Sequence, residues 1–175
     1  DYSQSIPAFV DAAKRHYREL GFVYICNPNN PTGMMVTKTE IKQLLDGVPE
    51  DLPVLIDEAY FHYAESPEYA TALPHVLEGR RVIIARTFSK IFGLAGLRIG
   101  WAYCPAAIAD ALNRIRGPFN LSAPAIAAGA AAMDDQIHVE QAARHNETWL
   151  PWLAAEVEKL GLQVTPSVAN FLLIH

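Results

Sequence analysis

The sequence predicts an α/β protein with a largely parallel sheet covered by helices on both faces, and two observations carry the prediction. Short, continuously apolar runs at 22–26, 54–56, 81–86 and 97–103 have the length and composition of buried strands. Between them lie segments whose apolar residues recur at helical spacing, so strands and helices alternate along the chain. In order, Phe9, Val10, Ala13, Tyr17 and Leu20 mark one face of a helix over 6–20, which Gly21 is placed to end. Phe22 to Cys26 is the first buried strand. Pro28 to Gly33 is a dense turn cluster, after which Thr37 and Glu40 form a capping box for a helix reaching about Val48. Val54 to Ile56 is the second strand and closes on Asp57 and Glu58, while 81–86 and 97–103 give the third and fourth. Helices are expected at 106–115 and 123–134. Trp149, Leu153, Val157 and Leu160 follow one more helical face, in a helix that begins near Asn146 or kinks at Pro151. Strands at 162–165 and 169–174 then open a second, α+β unit, so the domains read as 1–140 and 141–175.

Composition excludes several classes. Of 175 residues, 51% are hydrophobic and 19% charged, unlike a disordered or low-complexity chain. Lys+Arg 14 against Asp+Glu 19 leaves a net charge of −5 without a dense basic cluster, so no nucleic-acid partner is expected. No apolar run reaches the roughly 20 residues of a bilayer span, and residues 1–15 lack the pattern of a secretion signal. No membrane association is expected, and the location read is cytoplasmic. Cys26 and Cys104 lie in apolar runs, and neither they nor the histidines have ligand spacing, so two buried thiols and no metal site are expected. The sequence stops inside the apolar run 170–174, which reads as a fragment.

Ligands of open α/β sheets collect beyond the carboxyl ends of the strands. Those ends present Asn30, then Asp57 and Tyr60, then Thr87, Ser89 and Lys90, with Arg98 eight residues after the lysine. Singly, each has an ordinary explanation: a turn-forming Asn, a capping Asp, a solvated Lys, half of a salt bridge. Together, an amine, a carboxylate, a guanidinium and hydroxyls on successive strand ends point to one shared ligand. Gly93, Gly96 and Gly100 match neither GxGxxG nor GxxxxGK[ST], which disfavours a nucleotide loop. Thr87 to Lys90 only approximates an SxxK nucleophile motif and has no SDN or KTG companion.

Asn29-Asn30-Pro31-Thr32-Gly33, Asp57-Glu58-Ala59-Tyr60 and the run from Arg86 to Gly100, in this order, resemble the class I/II pyridoxal-phosphate aminotransferases. The resemblance extends over most of the chain, with weaker signals at 117–120 and 169–171. It implies a three-layer αβα fold of the pyridoxal-phosphate-dependent transferase type, with the start of a small α+β C-terminal domain. It implies Lys90 as the Schiff-base lysine and proton carrier, and Asp57 as the partner of the cofactor's ring nitrogen. By the same resemblance Asn30 and Tyr60 bind the phenolic oxygen, and Arg98 binds the phosphate with Thr87 and Ser89. The implied substrates are an amino donor, histidinol phosphate or an aromatic amino acid, and a 2-oxo acid acceptor, 2-oxoglutarate. A homodimer is implied, with Phe119 and Asn120 reaching toward the neighbouring subunit. The family's upstream phosphate turn and stacking aromatic, and its downstream arginine for the substrate carboxylate, have no counterpart in these 175 residues, so the chain alone is not expected to transaminate. Two other readings stay open: a decarboxylase of a phosphorylated amino acid using the same cofactor contacts, and a non-catalytic ligand-binding or dimerisation module.

Overall fold

In the computed structural model, which describes residues 2–175, four strands form one mixed sheet and two more form a small hairpin-like sheet. The larger sheet has the order β1 (Val23–Cys26), β2 (Val54–Asp57), β3 (Val82–Thr87), β4 (Gly100–Tyr103). The first three strands are parallel, and β4 returns antiparallel to β3. The register sets Cys26, Asp57, Ala85 and Ala102 in one row across the sheet, so Asp57 sits at the carboxyl rim between two neighbouring strands.

Alternation along the strands decides which face is buried. Ile25, Ile56 and Ile84 point into a core closed by α1 (Ile6–Arg15), α2 (Lys38–Gly47) and α3 (Leu73–Leu77), where Ile6, Leu44 and Val76 meet them. The opposite row, Tyr24, Leu55 and Ile83, is only partly covered in this chain, with Tyr24 46% exposed. The first strand is therefore buried on one face, where the unbroken apolar run predicts burial on both. The capping box of α2 forms as expected: the Glu40 N–H donates to Thr37 Oγ1 at 3.2 Å, and Glu40 Oε2 accepts the Thr37 N–H at 2.9 Å.

Four further expectations are corrected. α1 ends at Arg15 rather than near Leu20, because residues Tyr17–Glu19 tighten into a 3₁₀ turn. β4 begins at Gly100 rather than Leu97, since Ala95–Leu97 form another 3₁₀ turn and Arg98 takes a left-handed conformation at φ 53°. A Cβ at Gly100 would lie 2.7 Å from the Arg86 carbonyl oxygen, so only glycine allows this close approach. The last long helix does not wait for Asn146. It runs from Gln136 to Lys159, through Pro151, with the Asp135 side chain accepting the His138 N–H at its start. Finally, Cys104 is only half-buried, whereas Cys26 is buried.

Helices α4 (Ala106–Ile115) and α5 (Ala123–Asp134) have the expected bounds, and Gln136–Lys159 is α6. α5 and the start of α6 cover a second core, in which Phe88, Ile91, Phe92 and Ile99 pack with Ala125 and, less deeply, Val139, Ala142 and Ala143. This cluster holds the segment between β3 and β4 in place. Past α6, β5 (Val164–Thr165) and β6 (Leu173–Ile174) pair antiparallel. No helix among the described residues is long and apolar enough to cross a membrane, and among them no cluster of residues could hold a metal ion.

Candidate active site

The carboxyl rim of the sheet is built from three loops. The first follows β1. Asn27, 2% exposed, brackets it by donating from Nδ2 to the Val36 carbonyl and accepting the Val36 N–H, both at 2.9 Å. Within the turn, Asn29 Nδ2 donates to Thr32 Oγ1 at 2.8 Å, and the Gly33 N–H reaches the Asn29 carbonyl at 2.7 Å. Gly33 has φ +74°, and a Cβ there would lie 2.2 Å from Ser167 Oγ. The turn is thus pressed against the segment between β5 and β6, whose Val168 N–H donates to the Gly33 carbonyl at 2.9 Å. This leaves Asn30 exposed on the rim, with its Nδ2 donating to Tyr60 Oη at 2.9 Å.

The second loop follows β2. Asp57 Oδ1 accepts the Ala59 N–H at 3.0 Å, and Oδ2 accepts the Tyr24 hydroxyl at 3.1 Å. Tyr60 is buried to 4% exposure, its ring meeting Phe171 edge-on at 5.1 Å. The third loop carries Lys90, which is exposed and places Nζ 5.1 Å from the centre of the Tyr60 ring. Thr87 Oγ1 accepts the Ser89 N–H at 3.0 Å, while Ser89 Oγ accepts from Arg98 Nη1 at 3.5 Å. Arg98 Nη1 also donates to the Ala95 carbonyl at 2.8 Å. The sequence-derived residues therefore fall into two contacting groups, Asn30–Tyr60–Lys90 and Thr87–Ser89–Arg98, joined through the loop that holds Ser89 and Lys90. Asp57 stands beside them by register, opposite Ala85 on the strand that ends in Thr87. Non-glycine residues rarely adopt the backbone of Arg98, and such conformations gather at functional sites.

Beneath the rim lies a charged network that sequence reasoning missed. Glu58 is 1% exposed; it accepts the Ala72 N–H at 2.7 Å, the Thr71 hydroxyl, and Arg86 Nε and Nη2 at 3.0 and 2.7 Å. The Arg86 guanidinium lies 3.5 Å above the Phe61 ring and 5.0 Å from that of Trp101. Glu58 follows Asp57 and Arg86 precedes Thr87, so the pair ties the two loops together from below. Burial, then the neighbouring Arg86, pushes His62 down to about 4. Burial, with Cys26 and Asp57 nearby, pushes the Tyr24 hydroxyl above its ordinary 10.0, so it stays protonated and donates. Tyr24 was also absent from the sequence reading. Its one signal is the shared face with Asp57, which appears only once the strand register is known.

An amine, a carboxylate and a guanidinium thus lie along one rim of a mixed, largely parallel α/β sheet. The chain belongs to the aminotransferase class I and II family, which it matches over residues 3–175. It is 44% identical over all 175 residues to the histidinol-phosphate aminotransferase of Maricaulis maris (strain MCS10) and covers 48% of that protein. Among solved structures, it superposes with a TM-score of 0.85 on histidinol-phosphate aminotransferase from Sinorhizobium meliloti in complex with pyridoxal-5'-phosphate. The two are 29% identical, over 97% of this chain and 46% of that one. It also resembles L-threonine-O-3-phosphate decarboxylase from Porphyromonas gingivalis, at TM-score 0.78 and 25% identity, over 90% of this chain and 48% of that one. The chain thus spans about half the length of the relatives it matches.

Proposed function

We propose that the complete protein is a pyridoxal-phosphate-dependent aminotransferase that moves an amino group from histidinol phosphate to 2-oxoglutarate, this chain supplying the groups that anchor the cofactor. The observation that carries the reading is the meeting of three sequence-distant motifs at one point: Asn30 Nδ2 is 2.9 Å from Tyr60 Oη, and Lys90 Nζ is 5.1 Å from the Tyr60 ring. The donor set fits the cofactor. It offers an amide and a phenol for a phenolic oxygen, a carboxylate for a pyridinium, a guanidinium with a hydroxyl for a phosphate, and a primary amine for an aldehyde.

When bound, pyridoxal phosphate supplies the aldehyde that captures amines and the cationic ring that accepts electrons. This chain supplies part of the remaining work. Asp57 keeps the proton on the ring nitrogen, and Asn30 with Tyr60 orients the ring. Arg98, Ser89 and Thr87 hold the phosphate. Lys90 Nζ would tether the cofactor at rest and, when free, would carry the proton from the substrate carbon to the cofactor carbon that bore the aldehyde. Residues 1–140 belong to the large cofactor domain, and 141–175 begin the small one. Phe119, 98% exposed, and Asn120 face a second subunit in a homodimer.

The likeness to L-threonine-O-3-phosphate decarboxylase supports a second reading, decarboxylation of a phosphorylated amino acid, which needs the same anchoring groups but aligns a different substrate bond with the ring. One experiment addresses both. The complete protein is titrated with pyridoxal phosphate, its visible band is recorded beside that of Lys90→Ala, and it is then given histidinol phosphate with 2-oxoglutarate and, in a separate assay, L-threonine-O-3-phosphate. The expected results are a band lost in the variant, formation of glutamate in the first assay and no carbon dioxide in the second. Carbon dioxide from L-threonine-O-3-phosphate, without glutamate from histidinol phosphate, would establish the second reading, and an unaltered band in Lys90→Ala would overturn both.

A further inference from the structure

We infer that Tyr24 is a positioning residue for this chemistry, its hydroxyl fixing Oδ2 of Asp57 and thereby the orientation of the carboxylate that meets the cofactor's ring nitrogen. The inference rests on the functional reading above and adds a residue that none of the three motifs contains. Tyr24 is in register with Leu55, so its side chain shares a sheet face with Asp57, two residues further along β2. The hydroxyl spans that step and donates to Oδ2 at 3.1 Å.

The other carboxylate oxygen is already taken by the Ala59 N–H at 3.0 Å, a bond internal to the turn after β2. That bond alone leaves the carboxylate free to pivot about Oδ1. The Tyr24 bond arrives from the neighbouring strand and removes this freedom, so both oxygens are placed before any ring nitrogen approaches. Packing is a weak explanation for the hydroxyl: Tyr24 is 46% exposed in this chain, and a phenylalanine keeps the ring contacts while deleting only the O–H.

The test uses the complete protein and its Tyr24→Phe variant. Dissociation constants are measured for pyridoxal phosphate and for an analogue with carbon in place of the ring nitrogen, together with the melting temperature of each cofactor-free protein. Losing a hydrogen bond to a charged acceptor is expected to weaken pyridoxal phosphate binding about tenfold. The analogue, which has no nitrogen for Asp57 to meet, is expected to bind parent and variant alike, and the melting temperature to stay unchanged. Equal loss for both ligands, or no loss for pyridoxal phosphate, overturns the inference alone. Failure of the parent to bind pyridoxal phosphate overturns the functional reading and takes the inference with it.

Discussion

Breaking the Glu58–Arg86 pair from one side is expected to cost far more than removing both partners. The Glu58 carboxylate, 1% exposed, gathers the Ala72 N–H, the Thr71 hydroxyl and two guanidinium nitrogens. The Arg86 side chain is 13% exposed and lies over Phe61, so water cannot replace a lost partner on either side. Glu58→Met leaves the guanidinium buried without its counter-charge and the Ala72 N–H without an acceptor. Arg86→Met leaves the carboxylate with two neutral donors. Each single change is expected to destabilise the fold by about 3–5 kcal/mol, the cost of stranding one member of a buried ion pair. The double variant replaces both charges with side chains of similar volume and is expected to be more stable than the sum of the singles by about 2–3 kcal/mol. Urea unfolding of the complete protein, followed by circular dichroism for parent, singles and double, measures this coupling. Additivity within about 0.5 kcal/mol would refute the argument, because it would mean the two groups do not depend on each other.

Two more outcomes follow from particular residues. Protonating His62 would put a charge into a half-buried site beside Arg86, so its affinity for a proton falls from 6.5 in the free side chain to about 4 in the fold. Between those values the unfolded chain binds the extra proton; this contribution to stability is therefore complete above pH 6.5 and is lost as pH falls toward 4. Comparing urea midpoints at pH 7 and pH 5 for the parent and His62→Phe checks it: the parent should lose more on acidification, and equal losses would be inconsistent with a partly desolvated neutral imidazole. Gly33→Ala must adopt φ +74° and place its Cβ 2.2 Å from Ser167 Oγ and 2.5 Å from Ser167 Cβ. A loss of about 2–4 kcal/mol is expected from backbone strain and overpacking combined, and adding Ser167→Gly should recover the overpacking part. An alanine variant as stable as the parent would show that the turn yields freely.

Where local chemistry decides structure, the sequence was readable. The box at Thr37 and Glu40 needs nothing beyond its own turn, and the expected start of α5 at Ala123 is fixed locally by Ser122, whose side chain accepts the Ala125 N–H at 3.2 Å. Apolar continuity misled at 97–103: Leu97, Ile99 and Trp101 look like one strand, but Leu97 ends a 3₁₀ turn, Arg98 caps it in a left-handed conformation, and pairing with β3 starts only at Gly100. Pro151 left two readings open, a helix beginning near Asn146 or one continuing through the proline with a kink, and the helix of 24 residues running through Pro151 excludes the first. At the rim, Asn30, Asp57, Lys90 and Arg98 stood out only as a combination on successive strand ends, since each alone reads as an ordinary turn, cap or surface residue. Tyr24 and the Glu58–Arg86 pair were silent, since their meaning lies in register and burial, and neither is written in local spacing.

The tie between Val168 and Gly33, together with the edge contact of Phe171 on Tyr60, gives the tail of the chain a grip on two rim groups at once. Asn146 Nδ2 fastens that tail to α6 by donating to the Ala169 carbonyl at 3.0 Å. The first rim turn and the Tyr60 ring are thus braced from the tail, whereas the segment bearing Lys90 is braced by the Phe88–Phe92 cluster, so the two sides of the rim rest on separate supports.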